Sequence, residues 1–202
     1  VSEGNFASFN LASHVADEFE RVQHNRDLLS RQHALPATPV WLEQIHSDKV
    51  VKADLVNGLV AADASYTDQS GVVCAVLTAD CLPVLFWSAA GQSVAAAHAG
   101  WRGLLAGVLS NTVHSIGQND VLAWLGPAIG PLCFEVGVEI FQTFVAKNPD
   151  FAQAFTRRDP SHYLADIYQL ARIELSACGV KQIYGGGLCT FTDSERFYSY
   201  RR

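Results

Sequence analysis

Three consecutive segments decide the fold: VVCAVLTADCLPVLF (72–86), VAAAHAG (94–100) and WRGLLAGVLSNTVHSIG (101–117). The first two have the length and apolar character of buried strands, and the turn residues AAGQS (89–93) between them predict a hairpin. The third repeats leucine and valine at helical spacing and stops at Gly117, which predicts one helix over 101–117. The thiol of Cys81 and the imidazole of His98 lie 17 positions apart (98 − 81) within these segments.

The remaining chain alternates between helical and extended patterns. Helices are predicted at 14–31, with Val15, Phe19, Val22 and Leu29 on one face, and at 137–147 and 164–179. Extended segments are predicted at 40–53, from 121 and at 181–190, and ASYTDQSG (64–71) has the composition of a turn. Because strands and helices do not alternate strictly, we predict the α+β class, with mixed β-sheet layers flanked by helices.

Length and composition restrict the function classes. A chain of 202 residues that is 49% hydrophobic fits a single domain over 1–202 with a large core. The net charge of −6 argues against a nucleic-acid surface, and no apolar run approaches the roughly 20 residues that span a bilayer. Five dispersed cysteines do not form a disulfide framework and favour the cytoplasm. Since the chain starts at Val1 and lacks methionine, we expect short terminal segments of the full protein to be missing from it.

The hairpin predicts a site at which Cys81 and His98 meet. Pairing the two strands about residue 90 places these positions nearly opposite each other. A neighbouring imidazole can activate a thiolate nucleophile, and a sulfur–nitrogen pair can also bind zinc. His46 lies at the end of another extended segment, in which strand alternation places Gln44 and Asp48 on the same face as His46. His46 would supply a third ligand. Three protein ligands are typical of catalytic zinc, although ordinary packing of these side chains also agrees with the pattern.

Other polar residues near this site are candidates for catalysis or binding. Asp63 is predicted either to support a metal ligand through a hydrogen bond or to transfer a proton. Asp80 is predicted to point away from Cys81 if the strand is regular. The segment HAGWRG (98–103) turns from a strand into a helix, so Gly100 and Gly103 would let the backbone approach an anion closely. Arg102 would bind phosphate or carboxylate, with a tight turn and a solvated arginine as the alternative.

Two further groups of residues carry no predicted function. Cys74, Cys133, Cys178 and Cys189 have no partner at metal-ligand spacing and are interpreted as buried thiols. The charged segments RRD (157–159) and YSYRR (198–202) are interpreted as solvated.

The motifs of the whole chain resemble those of one family. WLEQIH, ADASYT, TADCLPVLF, AAAHAGWRGLLAGV, WLGPAIGP, FEVG, YLADIYQLAR and CTFTD…FYSYRR follow one another in the order and spacing of the YfiH family. This family comprises the bacterial relatives of FAMIN, or laccase domain-containing protein 1, and has been labelled "multicopper polyphenol oxidase" or a domain of unknown function. The resemblance extends from about FASFNLASHVAD to the final arginines.

This resemblance implies a fold, a metal and a reaction. The fold would be like that of cysteine hydrolases related to toxin deamidases. Zinc, with copper as the alternative metal, would be held by His46, Cys81 and His98. The reaction would be phosphorolysis of adenosine, inosine or methylthioadenosine, with adenosine deamination beside it. Nucleoside and phosphate would be the partners of a monomer or weak homodimer; Gln44, Gly100, Arg102 and Gly103 are our candidate substrate contacts.

Three alternatives remain open at this point. The first is a cysteine hydrolase or deamidase with Cys81 as nucleophile and His98 as base. The second is a copper-dependent polyphenol oxidoreductase, which the sequence disfavours because its seven histidines include no His-x-His pair. The third is a non-catalytic metal- or nucleotide-binding module.

Overall fold

The computed structural model describes residues 1–88, 90–117 and 120–202. Its α-helices are α1 Phe19–Gln32, α2 Trp101–Ala106, α3 Val108–Ile116, α4 Val138–Lys147 and α5 Ile167–Ala177. Its strands are β1 Leu42–Glu43, β2 Val50–Lys52, β3 Val60–Ala61, β4 Ala64–Thr67, β5 Leu82–Ser88, β6 Val94–Ala99, β7 Val121–Leu125, β8 Glu135–Gly137, β9 Phe155–Arg157, β10 His162–Ala165 and β11 Gln182–Gly185. Short 3₁₀ turns lie at Gly4–Phe6, Ala53–Leu55 and Pro149–Ala154.

Within these described residues the strands form three sheets. The largest has six strands in the order β11-β7-β5-β6-β4-β2. Its two outer pairs, β11 with β7 and β2 with β4, are parallel, and its inner pairs are antiparallel. A three-stranded antiparallel sheet, β8-β10-β9, and the parallel pair β1-β3 complete the architecture. The mixed sheets and flanking helices confirm the α+β prediction.

The helical layer covers one face of the six-stranded sheet. Helix α3 packs against β6, β4 and β2, and α5 packs against α2 and α3. Strand β5 shows the consequence, because Val84 and Phe86 are buried while Leu85 and Trp87 between them are exposed. Alternation of side chains across a strand therefore assigns one face of β5 to the core and the other to the exposed side.

Helix ends follow their sequence signals. Helix α3 ends at Gly117, which adopts the left-handed conformation with φ of 65°. Helix α5 begins after Asp166, whose side chain accepts a hydrogen bond from the backbone N–H of Gln169 at 3.0 Å. Gly179, with φ of 82°, lies just past its end. These are the expected caps: a short acidic side chain at the start and glycine at the stop.

One helix was predicted over 101–117, and the structure divides it. Gly107 has φ of 106°, a left-handed conformation that interrupts the α-helical backbone between α2 and α3. The carboxylate of Glu174 accepts hydrogen bonds from the backbone N–H and the hydroxyl of Ser110, at 2.9 and 3.0 Å, in the first turn of α3. Tertiary contacts and a glycine, which tolerates positive φ, outweigh the continuous apolar periodicity.

A turn prediction and a strand prediction near the hairpin were each only partly right. Residues 64–71 were expected to form a turn, yet Ala64–Thr67 is strand β4 between β6 and β2. Its serine, threonine and tyrosine fit a strand when both neighbours supply hydrogen bonds, so the sheet overrides local composition. Conversely, the strand predicted over 72–86 begins only at Leu82. The turn predicted at 89–93 includes residue 89, which lies outside the described residues.

Four element boundaries also differ from prediction. Helix α1 begins at Phe19 rather than at 14, and the Phe19 side chain is 64% exposed, so the predicted apolar face is only partly buried. Helix α5 begins at Ile167, because residues 164 and 165 belong to β10. The extended segment predicted at 40–53 divides into β1 and β2, and the last strand ends at Gly185 rather than at 190. Among the described residues no helix is long and apolar enough to span a membrane.

The two faces of β5 predict unequal costs of truncation. Phe86 is 2% exposed, so Phe86→Ala should lower the free energy of unfolding by about 3–5 kcal/mol through lost burial and an internal cavity. Leu85 is the matched control, because it is 42% exposed on the other face, and Leu85→Ala should cost only about 1 kcal/mol. Urea unfolding measures both. Equal losses would contradict the assignment of the core face.

Candidate metal centre

The structure brings the three predicted metal ligands together. His46, Cys81 and His98 each offer one ligand atom, and these atoms all lie within 4.8 Å of one another. The Cys81 sulfur is 3.9 Å from Nε2 of His46, and the two imidazole rings meet edge to face with centroids 4.8 Å apart. Tetrahedral zinc with ordinary bond lengths would need sulfur–nitrogen and nitrogen–nitrogen separations of roughly 3.3–3.6 Å. The donor set and its spacing therefore fit a metal ion after small movements.

The strand register explains why Cys81 reaches His98. Strand β5 pairs with β6 so that Leu82 faces Ala99 and Pro83 faces His98. Cys81 thus lies opposite Gly100 and diagonal to His98, two positions along β6 from the residue that the prediction set nearly opposite it. Because His98 alternates with core-facing Ala97 and Ala99, its side chain lies on the sheet face opposite the helical layer.

Gly100 and Gly103 are needed for close packing within the protein. A Cβ at Gly100 would lie 2.8 Å from the Cys81 sulfur and 3.1 Å from Cδ2 of His46. A Cβ at Gly103 would lie 3.1 Å from the carbonyl oxygen of Ser47. These distances show that both glycines make room for the segments that carry the candidate metal ligands; contact of either glycine with a substrate stays a prediction.

A single buried carboxylate, Asp63, organises the centre. It accepts five hydrogen bonds: from the backbone N–H groups of Ile45 (3.2 Å), His46 (2.9 Å) and Ser47 (2.6 Å), from the Ser47 hydroxyl (2.8 Å) and from Nδ1 of His98 (2.8 Å). The side chain of Asp63 is fully buried. It therefore holds the His46 loop and orients the His98 ring, leaving Nε2 of His98 free for a ligand.

This geometry suits the positioning role expected for Asp63. A fully buried carboxylate with five donors orients the groups around it, and a role of Asp63 in proton transfer stays a prediction. Ser47, which sequence analysis did not single out, contributes two of the five hydrogen bonds. Its position directly after His46 was the available signal, but the contact depends on the fold of the loop.

Asp63 and His98 shift each other's protonation. Burial disfavours both charged forms, yet the hydrogen bond between them outweighs burial. It acts with the hydrogen bonds from Ser47 to lower the pKa of Asp63 to about 2. The hydrogen bond to Asp63, together with the nearby Cys81 sulfur, raises the pKa of His98 to about 9. Without a metal, the pair is therefore an imidazolium and a carboxylate at neutral pH.

His46 forms the open side of the centre. Its φ of 60° is left-handed, a conformation that histidine adopts more readily than most residues and that Asp63 stabilises through the adjacent N–H groups. The residue is exposed. Partial desolvation lowers the pKa of the His46 imidazole most, and the positive charges of His98 and Arg102 lower it further. The lowered pKa favours the neutral form of His46, which is the form that binds metals.

Arg102 and Gln44 differ in how free they are to bind a ligand. The Arg102 guanidinium is exposed and lies 4.3 Å from the centroid of the Trp101 ring, close enough to the centre to act on His46. The Gln44 amide instead donates to the Leu77 carbonyl and accepts from the Leu77 N–H, both at 2.7 Å. Gln44 thus fixes the chain that leads to Cys81, and a substrate contact by Gln44 stays a prediction.

Asp80 connects the Cys81 turn to the C-terminal segment. Its φ is 84°, and its carboxylate accepts hydrogen bonds from the Thr190 hydroxyl (2.6 Å), the Ser199 hydroxyl (2.9 Å) and the Arg201 N–H (2.7 Å). The Asp80 side chain is therefore directed to the C-terminal segment and fixes the turn before Cys81. This orientation comes from the left-handed turn and not from the regular strand that the prediction assumed, since β5 begins only at Leu82.

The terminal arginines are exposed, as expected for solvated charge, but their guanidinium groups also bind the backbone. The Arg202 guanidinium donates to the carbonyl oxygens of Thr190, Phe191 and Phe197 at 2.8–3.0 Å. Arg201 donates to the Glu135 carbonyl at 3.0 Å. Both arginines help to hold the last segment against the domain.

Comparisons with known proteins agree with the motifs. A family model described as multi-copper polyphenol oxidoreductase laccase matches residues 1–202. The chain is 52% identical over 207 residues to a protein from Escherichia coli K12 named purine nucleoside phosphorylase YfiH, covering 100% of this chain and 84% of that protein. A purine nucleoside phosphorylase from Pseudomonas aeruginosa is 51% identical with the same coverage.

Solved structures share the fold over the whole chain. A Neisseria meningitidis protein of family DUF152 superposes with a TM-score of 0.96 at 47% identity, covering 100% of this chain and 84% of that one. YlmD from Geobacillus stearothermophilus superposes with a TM-score of 0.90 at 31% identity, covering 100% and 82%.

Loss of Asp63 should destabilise the centre. Asp63→Ala leaves the N–H groups of the His46 loop and Nδ1 of His98 without their acceptor and should lower the free energy of unfolding by about 3–5 kcal/mol. Asp68→Ala removes an exposed ion pair with Lys52 and serves as control, with an expected loss below about 1 kcal/mol. Urea unfolding of the metal-free proteins measures both. Similar small losses would show that Asp63 does not organise the centre.

Metal affinity should rise with pH. Because the pKa of His98 is raised to about 9, a metal must displace a proton from it at neutral pH, and this competition weakens as pH rises from about 6.5 towards 9. Zinc titrations over that range should therefore show increasing affinity. Asp63→Asn removes the negative charge that stabilises the imidazolium. In this variant the zinc affinity should therefore rise less between neutral pH and pH of about 9 than it does in the wild type. A wild-type affinity independent of pH would contradict this protonation state.

Proposed function

The chain belongs to the YfiH family, described as multi-copper polyphenol oxidoreductase laccase, and we propose that it is a zinc-dependent purine nucleoside phosphorylase. The observation that carries the proposal is the convergence of His46, Cys81 and His98 around one point beside the exposed guanidinium of Arg102. Relatives that carry the same activity in their names support the reaction class. Adenosine, inosine and methylthioadenosine are the proposed nucleosides.

The donor set supports zinc as the metal. One sulfur and two imidazole nitrogens suit zinc, and three protein ligands leave a fourth position for water or substrate. Copper could occupy the same donors. A trinuclear copper cluster would need more histidines than this centre offers, so the oxidase description of the family does not lead us to propose a laccase reaction.

Arg102 is the proposed phosphate-binding residue. In phosphorolysis a phosphate oxygen forms a bond to the anomeric carbon while the bond from that carbon to the purine nitrogen breaks, which yields ribose 1-phosphate and the free base. A guanidinium neutralises phosphate charge and can donate two parallel hydrogen bonds. Stacking on Trp101 restricts the position of Arg102, while its exposure leaves its N–H groups available.

The chain's own residues prepare the centre for its ligand. A bound zinc ion would supply a Lewis acid that polarises the purine or lowers the pKa of a water molecule. Asp63 keeps Nε2 of His98 directed at the ion position by accepting the hydrogen bond from Nδ1. Exposed His46 leaves an entrance for the nucleoside. Deamination of adenosine, in which water adds to the purine ring and ammonia leaves, is proposed as a side reaction of the same centre.

One observation favours a second candidate, a cysteine hydrolase or deamidase. Asp63 orients His98, and the opposite side of the His98 ring approaches the Cys81 sulfur. This is the order carboxylate, imidazole and thiol that activates cysteine nucleophiles. Activity of this kind would survive removal of metal and be lost on alkylation of Cys81. A cytoplasmic monomer or weak homodimer is proposed for either reaction.

Phosphorolysis is tested with metal-quantified protein and adenosine, with and without phosphate. We expect adenine and ribose 1-phosphate only with phosphate, and loss of both product and zinc in Cys81→Ala, His46→Ala and His98→Ala. Arg102→Ala should keep its zinc but lower kcat/KM for phosphate by about 100-fold, since one charged donor is lost. Arg31→Ala, an exposed arginine of α1, is the matched control.

Other results of this experiment would each change the proposal in a specific way. Inosine formed in both mixtures would indicate deamination as the main reaction. Product that persists after chelation and disappears after alkylation would replace the phosphorylase with the cysteine hydrolase. An Arg102→Ala protein with unchanged kinetics would remove Arg102 from the phosphate site.

A further inference from the structure

Two thiols lie together on the other side of Asp80 from the metal centre. Cys133 follows the loop after β7, and Cys189 follows β11. These two segments are joined where Ala128 forms a bridge with Cys189 and its carbonyl oxygen accepts the N–H of Thr190 at 3.0 Å. Neither cysteine belongs to the cluster of metal ligands, and both are partly accessible to solvent.

The loop that contains Gly130 contacts the Cys189 sulfur closely. The backbone N–H of Gly130 donates to this sulfur at 3.2 Å. A Cβ at Gly130 would lie 2.9 Å from Cβ and 3.0 Å from Sγ of Cys189, so only glycine allows the approach. The turn that follows holds Cys133 beside this loop, because its N–H donates to the Gly130 carbonyl at 3.0 Å, and the two thiols are near enough for Cys189 to affect the pKa of Cys133.

The two thiols have opposite protonation preferences. Burial raises the pKa of both groups. At Cys189 the hydroxyl and N–H of Thr192 and the N–H groups of Gly130 and Phe191 outweigh burial. They lower its pKa to about 7. At Cys133 the neighbouring Cys189 sulfur raises the pKa further. At neutral pH a substantial fraction of Cys189 is therefore thiolate beside a protonated Cys133.

We propose that Cys189 and Cys133 form a reversible redox pair in which Cys189 reacts with a hydroperoxide and Cys133 resolves the product as a disulfide. The Cys189 thiolate attacks the terminal peroxide oxygen, the O–O bond breaks, and Cys189 becomes a sulfenic acid while hydroxide leaves from hydrogen peroxide or alkoxide from an organic hydroperoxide. The Cys133 sulfur then displaces the sulfenic oxygen, which leaves with the thiol proton as water, and the S–S bond forms. The two sulfurs lose two electrons in total, and a dithiol reductant returns them.

The position of the pair connects it to the metal centre. Thr190, the neighbour of Cys189, donates to Asp80, and Asp80 directly precedes the metal ligand Cys81. A disulfide would join the loop that contains Gly130 to the C-terminal segment that Asp80 holds. Oxidation would thus cross-link the two segments next to the Asp80–Cys81 turn without altering a candidate metal ligand.

Intact, metal-loaded protein treated with hydrogen peroxide at neutral pH tests the pair. Mass spectrometry should detect the loss of two hydrogen atoms, and peptide mapping should find a Cys133–Cys189 cross-link that a dithiol reductant reverses. In Cys133→Ser the reaction should stop at a Cys189 sulfenic acid that dimedone traps. Cys189→Ser should form neither product, and Cys178→Ser, at the end of α5, is the matched control that should behave as wild type.

The wild-type experiment alone can overturn the proposal, whatever the variants do to folding. A protein that is oxidised at Cys81 or Cys178 while Cys133 and Cys189 stay reduced would contradict it. A dimedone adduct on wild-type Cys189 with no cross-link would show that Cys133 does not resolve the sulfenic acid. Circular dichroism of each variant checks that a lost cross-link does not come from unfolding.

Discussion

The hydrogen bonds to the buried carboxylate of Asp63 are the interaction on which the candidate centre depends. Three successive N–H groups donate to this side chain, and this fixes the left-handed turn at His46. The same carboxylate orients His98 on the adjacent strand. Burying this charge away from solvent would be costly, but five donors, one of them the His98 imidazolium, compensate the cost. Two candidate metal ligands from distant parts of the sequence therefore share one hydrogen-bond acceptor.

The third ligand, Cys81, is positioned by backbone contacts from several directions. The register of β5 and β6 sets it opposite Gly100, where only a missing side chain allows the sulfur to approach His46. Gln44 holds the preceding chain through Leu77, and Asp80 holds the turn through the C-terminal segment. A rigid surrounding of this kind is what a metal centre requires, because ligand positions must be set before the ion or substrate arrives.

The five cysteines illustrate how environment decides the chemistry of one residue type. Cys81 lies beside two imidazoles and is suited to a metal or to nucleophilic attack. Cys189 accepts an N–H in a loop shaped by Gly130, which lowers its pKa, whereas burial raises that of Cys133 and of Cys74. The chain therefore holds two centres of thiol chemistry, and Asp80 with its hydrogen bonds lies between them.

The sequence by itself determined the α+β class, the strands around residues 84 and 97, the helix stops at Gly117 and Gly179, and the family, because apolar periodicity, glycine and long motifs are local signals. It also predicted that Cys81 and His98 meet, since a hairpin brings its two ends together, and the family motif added His46 to them. Only the tertiary structure decided that residues 64–67 form a strand, that Gly107 divides a helix, that the register sets Cys81 opposite Gly100, and that Ser47 binds Asp63. These features depend on hydrogen-bond partners and packing neighbours far away in the chain, for which local composition carries no signal.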